Sequence, residues 1–151
     1  MENPKADSLI AMFVFYSYSS GIQARLAFSK EFRHCNVITF DGRDWIVLDF
    51  DQTGLIARTI HCKNAGSLLK SLPVIKEVTA IVTVDIKERA KYRWSPWWVR
   101  SCNEICRYRA GIDLSFTFNP AHLYYKLLKD RRRRNYRILA HWRRDHGTIR
   151  E

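Results

Sequence analysis

Apolar residues along this chain fall into short β-rich runs separated by stretches of helical spacing. Leu9 to Tyr18 (LIAMFVFYSY) is a run of apolar and aromatic residues, too short for a stable helix, and predicts a buried strand that Ser19-Ser20-Gly21 ends. Ile22 to Phe32 carries apolar residues at 22, 26 and 28 among good helix formers and predicts a short helix. Leu55 to Ile60 follows a turn at Gln52-Thr53-Gly54 and predicts a further strand. Asn64 to Leu72 predicts a short helix ended by Pro73. Val74 to Ile86 contains the β-branched segment VTAIVTVDI and predicts a central strand. After a basic, aromatic loop from Lys87 to Pro96, a helix over Ser101–Tyr108 stops near Ala110-Gly111. Asp113 to Phe118 is short and extended. Asn119-Pro120 opens a last helix with Asn119 as N-cap.

Between the first helix and the Leu55 strand lies His34 to Phe50, two β-rich runs around Asp41-Gly42, a strong hairpin signal. Two registers fit. A two-residue loop at Asp41-Gly42 sets His34 opposite Asp49. A four-residue loop from Asp41 to Asp44 sets it opposite Asp51. Side chains alternate along a strand, so both acids share a face and each register puts a carboxylate across from the imidazole. Taken together the elements predict an α+β protein, an antiparallel meander with packed helices.

The length of 151 residues suits one domain, and the hydrophobic fraction of 46% is that of a globular chain. The net charge of +11 is uneven: Lys126 to Glu151 hold ten Lys and Arg against three acids. The expected division is a domain over 1–128 and a basic extension over 129–151. In that extension Arg131, Arg132, Arg133, Arg134, Arg137, Arg143 and Arg144 are candidates for contacting nucleic acid through its phosphates, or an anionic protein partner. The bland alternative is a solvated helical extension, with Ile138, Leu139 and Trp142 packing back at spacings of three and four. No secretory pattern is present and the longest apolar run is too short to cross a bilayer, so a cytoplasmic protein is expected. Four cysteines in this length do not make a disulfide framework, and reduced thiols are expected. Cys102-x3-Cys106 with His61-Cys62 matches usual zinc spacings poorly, so no metal is expected.

The cysteine that stands out is Cys102. Ser101 and Glu104 form a capping-box pattern that puts Cys102 at the first helical position. Free amides and the helix dipole there predict a lowered thiol pKa and a candidate nucleophile. The plainer reading of a lone cysteine is a small buried hydrophobe. The upstream histidine and acid shift the balance toward chemistry, with His34 as base and Asp49, or Asp51, as the group that orients it.

Three motifs in this order resemble the circularly permuted branch of the NlpC/P60-like, papain-like cysteine hydrolases. Phe32-Arg33-His34-Cys35-Asn36-Val37 is similar to the family's histidine strand, with Arg33 where serine is usual. Ser101-Cys102-Asn103-Glu104-Ile105-Cys106 with Gly111-Ile112 is similar to its nucleophile helix, and Asn119-Pro120-Ala121-His122-Leu123-Tyr124 to its closing helix, with Asn119 in place of threonine. The resemblance covers roughly residues 9 to 128. It implies a cysteine-dependent hydrolase or acyltransferase, acting on an amide, peptide or ester substrate without metal or organic cofactor. Cys102 would be the nucleophile, His34 the general base and Asp49 the orienting acid. The Cys102 amide would lend part of an oxyanion hole, and Cys106 would be buried and inert. Small basic proteins of this kind also resemble bacteriophage-encoded ones, so the alternative is an inactive structural or interaction protein, such as a virion component.

Overall fold

The computed structural model describes residues 9–18, 29–51, 54–62, 64–87, 102–112, 117, 119–129 and 135–146. They form an α+β fold. One open antiparallel sheet of six strands carries three packed α-helices. The strands are β1 (Leu9–Tyr16), β2 (His34–Phe40), β3 (Trp45–Asp51), β4 (Gly54–Ile60), β5 (Val78–Ile86) and β6 (Tyr136–Arg143). The helices are α1 (Ala65–Ser71), α2 (Cys102–Ala110) and α3 (Pro120–Lys129). Strand order is β4-β3-β2-β1-β5-β6, so β1 and β5 lie inside the sheet and β4 and β6 form its edges.

Position in the sheet explains the apolar patterning. β1 and β5 are covered on both faces and read as nearly unbroken apolar runs, whereas the edge strand β4 is mostly exposed. On the first face, Phe13, Phe15, Cys35, Val37, Ala80 and Val82 pack with Cys102 and Cys106 of α2 and Leu123, Tyr124 and Leu127 of α3. On the second, Met12, Val14, Tyr16, Ile38 and Ile81 pack with Leu68 of α1 and Leu72 beyond it.

Local chemistry sets the element ends. Asn119 caps α3 by accepting from the His122 amide at 2.8 Å, as its sequence predicts. Gly111, with φ of +64°, closes α2 through its amide to the Arg107 carbonyl at 3.0 Å. Asn64 caps α1 by accepting from the Ser67 amide, and the α-helix ends at Ser71, with Leu72 as its C-cap, just ahead of Pro73. Pro73 lies in a 3-10 turn, Leu72–Val74, that delays β5 to Val78. A helix running to Phe32 is not found in the described part of that segment. Ser29 Oγ accepts from the amides of Glu31 and Phe32 at 3.2 and 3.3 Å, a local turn that competes with helix. The rest of that expected helix, and the extended stretch over 113–118 apart from Thr117, lie outside the described residues.

The stretch expected to be a basic extension contributes β6, which pairs along β5 from Ile86↔Tyr136 to Ala80↔Arg143. Ile138 packs back on the first face and Trp142 on the second, from a strand and not from the helix of the bland alternative. The Asp41-Gly42 signal does mark a hairpin, and its loop is the four-residue one. Val37 pairs with Leu48 and Phe40 with Trp45. Asp41 Oδ1 accepts from the amides of Arg43 and Asp44 at 2.9 and 2.7 Å, and Gly42 takes φ of +102°, which disfavours any side chain there.

Candidate functional site

The β2–β3 ladder ends at Val37↔Leu48, and upstream of it His34 to Asn36 pair only with β1. The two strands therefore part at this end of the hairpin. By alternation Cys35, Val37 and Leu48 belong to the first face, while His34, Asn36 and Asp49 belong to the second. α2 packs mainly on β2 and β3 and brings Cys102 to the same opening. The His34 ring spans it. Its Nε2 lies 2.6 Å from Asp49 Oδ1, and its side chain is in contact with Cys102.

Pairing alone would have set His34 against Asp51 in this register. Because the ladder opens first, the diagonal neighbour Asp49 meets the ring instead. The side chain of Asp51 lies outside the described residues, as do Ser101 and the tryptophan-rich approach to α2, so the expected capping box is not described.

Electrostatics differ from the sequence expectation. Cys102 is only 4% exposed. Contact with the Cys35 thiol and burial push its pKa well above the ordinary thiol value, against the opposing pull of His34, so the predicted lowering is overturned. Burial disfavours the charged His34 ring, yet hydrogen bonds to Asp49 and Cys102 outweigh it and raise its pKa to about 10. Burial likewise pushes Asp49 up, but its hydrogen bond to His34 leaves the carboxyl below its ordinary value. At neutral pH the ring is charged, the acid ionised and the thiol neutral. One proton must leave before a thiolate–imidazolium pair forms.

Three neighbours were missed from sequence. Asn36 donates through Nδ2 to the Tyr16 hydroxyl at 2.9 Å and also hydrogen-bonds Asp49. Tyr16 lies across from His34 in the β1–β2 ladder, with ring centroids 5.9 Å apart. Asn36 was detectable, since it shares a strand face with His34 two residues away. Tyr16 required the strand order. Cys35, fully buried, contacts both thiols of α2, with its sulfur 3.8 Å from that of Cys106. No one-dimensional signal marks that contact. Cys62 packs at the margin of the opposite face and His61 bonds Asp44, so neither joins Cys102 and Cys106.

Beside the acid end of this site a cleft of about 800 Å³ opens on the second face, lined by Tyr16, Asn36, Ile38, Val47, Asp49 and Arg58 among others. Among the candidate arginines, Arg143 is paired bidentately with Glu31 at 2.8 and 2.9 Å. Arg144 donates to the carbonyls of Pro73, Ile75 and Val78, and Arg137 approaches Asp85 at 3.4 Å. Arg131 to Arg134 lie outside the described residues. Among the described residues no helix is long and apolar enough to cross a membrane.

No family model, curated protein or solved structure matches the chain.

Proposed function

We propose that this protein is a cysteine-dependent hydrolase or acyltransferase of the circularly permuted, papain-like kind, acting on an amide, peptide or ester bond. The observation that carries the proposal is the single imidazole joined on one side to the Cys102 thiol and on the other to the Asp49 carboxylate. In this reading a base from solvent takes one proton and Cys102 attacks the carbonyl carbon. The His34 imidazolium then protonates the leaving group, and the neutral ring next draws a proton from the water that releases the acyl group. Asp49 keeps the ring oriented, and keeps it charged until that proton passes to the leaving group.

The test is an activated acetate ester such as p-nitrophenyl acetate, followed by intact mass and peptide mapping. An acetyl adduct on Cys102 that forms faster as pH rises and then decays is expected, with slower decay in His34→Ala. Acetylation of Cys62 alone, or a Cys102 adduct with the same lifetime in both proteins, would sink the proposal. One observation favours a second reading, a non-catalytic domain of the same fold. The thiol is buried and held neutral by Cys35, as a core cysteine would be.

A further inference from the structure

Three of the four cysteines meet where α2 crosses β2, and the proposed acyl-transfer chemistry uses only one of them. Cys102 and Cys106 are one helical turn apart on the same side of α2, and Cys35 of β2 touches both. The Cys35–Cys106 sulfurs are 3.8 Å apart, and all three side chains belong to the same core cluster. A disulfide needs its sulfurs at about 2.05 Å, a spacing reached from thiols already in contact, as the Cys35 thiol is with each cysteine of α2. All four cysteines are thiols in this structure.

We infer that Cys35 is the resolving thiol for Cys102, so that a hydroperoxide converts the pair into an intramolecular disulfide. Within the triplet Cys102 is the most exposed, at 4% against 1% for Cys106 and 0% for Cys35, and it alone adjoins a proton donor, the His34 ring. In the first step the Cys102 sulfur attacks the near oxygen of hydrogen peroxide. The S–O bond forms as the O–O bond breaks, the His34 ring gives a proton to the departing hydroxide, which leaves as water, and the ring is reprotonated by the proton Cys102 loses. In the second, the Cys35 sulfur attacks the sulfur of the sulfenic acid, the S–S bond forms, and the hydroxyl leaves with the Cys35 proton as a second water. The two thiols lose two electrons and peroxide gains them. The consequence for function rests on the acyl-transfer reading, because the disulfide occupies the proposed nucleophile and returns it on reduction. The crosslink itself does not depend on that reading.

The experiment treats the full chain with hydrogen peroxide, quenches with acid, and alkylates in denaturant so that every remaining thiol reports. Of the four thiols, those of Cys35 and Cys102 should be lost to alkylation together, with a peptide crosslink joining them at a mass lower by two hydrogens, whatever the partly exposed Cys62 gains separately. A dithiol reductant should restore both. Cys106→Ala should give the same crosslink. In Cys35→Ser or Cys35→Ala, whichever folds, Cys102 should instead gain two or three oxygens, well before it does so in the wild type. Retention of four thiols, a crosslink confined to Cys35 and Cys106, or equal over-oxidation of Cys102 with and without Cys35 would overturn the assignment. Because these readouts are thiol counts and masses, they stand or fall separately from acetyl turnover on Cys102.

Discussion

The β2–β3 hairpin and its neighbour β4 hold two histidine–aspartate pairs of nearly equal length and very different surroundings. At the open end His34 meets Asp49 at 2.6 Å, with side-chain exposures of 12% and 28%. At the turn end His61 meets Asp44 at 2.9 Å, but the His61 side chain is 82% exposed. Distance does not separate the two. What separates them is removal from water and the presence of a third group. His34 is wedged beside Tyr16 and in contact with Cys102, so its charge is tied to the protonation of a thiol, while the His61 side chain stands mostly in water with no third group beside it in the pair. A catalytic reading belongs to the first pair for that reason alone.

The sharpest way to break the contrast is Asp49→Asn. The amide keeps the shape but removes the charge opposing the buried ring, and we expect a loss of roughly 2 kcal/mol at pH 7, read by urea unfolding. The pH dependence carries the signature. His34 is raised from 6.5 to about 10, so its contribution to stability is fully present below 6.5 and disappears as pH climbs through about 10. Asp49 is lowered, so its contribution is present above its ordinary value of 3.8 and is lost as pH falls through its lower native value. The wild type should therefore show a plateau with losses on both sides. In Asp49→Asn the acid arm shrinks and the alkaline arm moves down in pH. NMR titration of the His34 ring should follow, and an unmoved ring pKa would show that Asp49 is not what holds it up.

The second effect concerns the thiol and runs in opposite directions for two variants. Contact with Cys35 is the largest cause raising the Cys102 pKa, whereas His34 lowers it. Cys35→Ala should speed iodoacetamide labelling of Cys102 at pH 7, and His34→Ala should slow it, each by about tenfold for every unit the thiol pKa moves. In the unaltered protein Cys62, which is partly exposed, should label before Cys102. Changes of the same sign in both variants would mean that packing, not electrostatics, controls the thiol.

How much of this was legible in sequence depends on which interactions are local. The hairpin was written in Asp41-Gly42, the α3 start in Asn119-Pro120 and the α2 stop in Gly111, because each is decided by a few neighbouring backbone groups. The loop length was not. Two-residue and four-residue loops shift the pairing by two, which leaves every side chain on the same face, so the apolar pattern fits both equally. The same ambiguity kept Asp49 and Asp51 open, and an event outside any pattern resolved it, the parting of the strands beyond Val37↔Leu48. β6 was obscured by charge. Arginines interrupt its alternation, and its apolar residues also fit helical spacing until β5 supplies an unpaired edge. The raised Cys102 pKa was not legible at all, because the helix-start argument is local while Cys35 reaches it only through the packing of α2 on β2.

The smallest expected effect is the control that gives the comparison its meaning. Removing His61 should change almost nothing. The turn beside it is held by Asp41, whose carboxylate accepts two backbone amides and whose own amide donates to the Asp44 carbonyl at 3.1 Å. None of those bonds needs the imidazole. Asp44 stays near water and near Arg43 Nε at 3.7 Å when His61 is gone, so no carboxylate is stranded. His61→Ala should therefore shift stability by no more than about 0.5 kcal/mol and leave the alkaline arm of the stability profile intact. Should the urea midpoint fall as far as in Asp49→Asn, hydrogen-bond length would matter more than burial in this hairpin, and the grounds for singling out His34 would go with it.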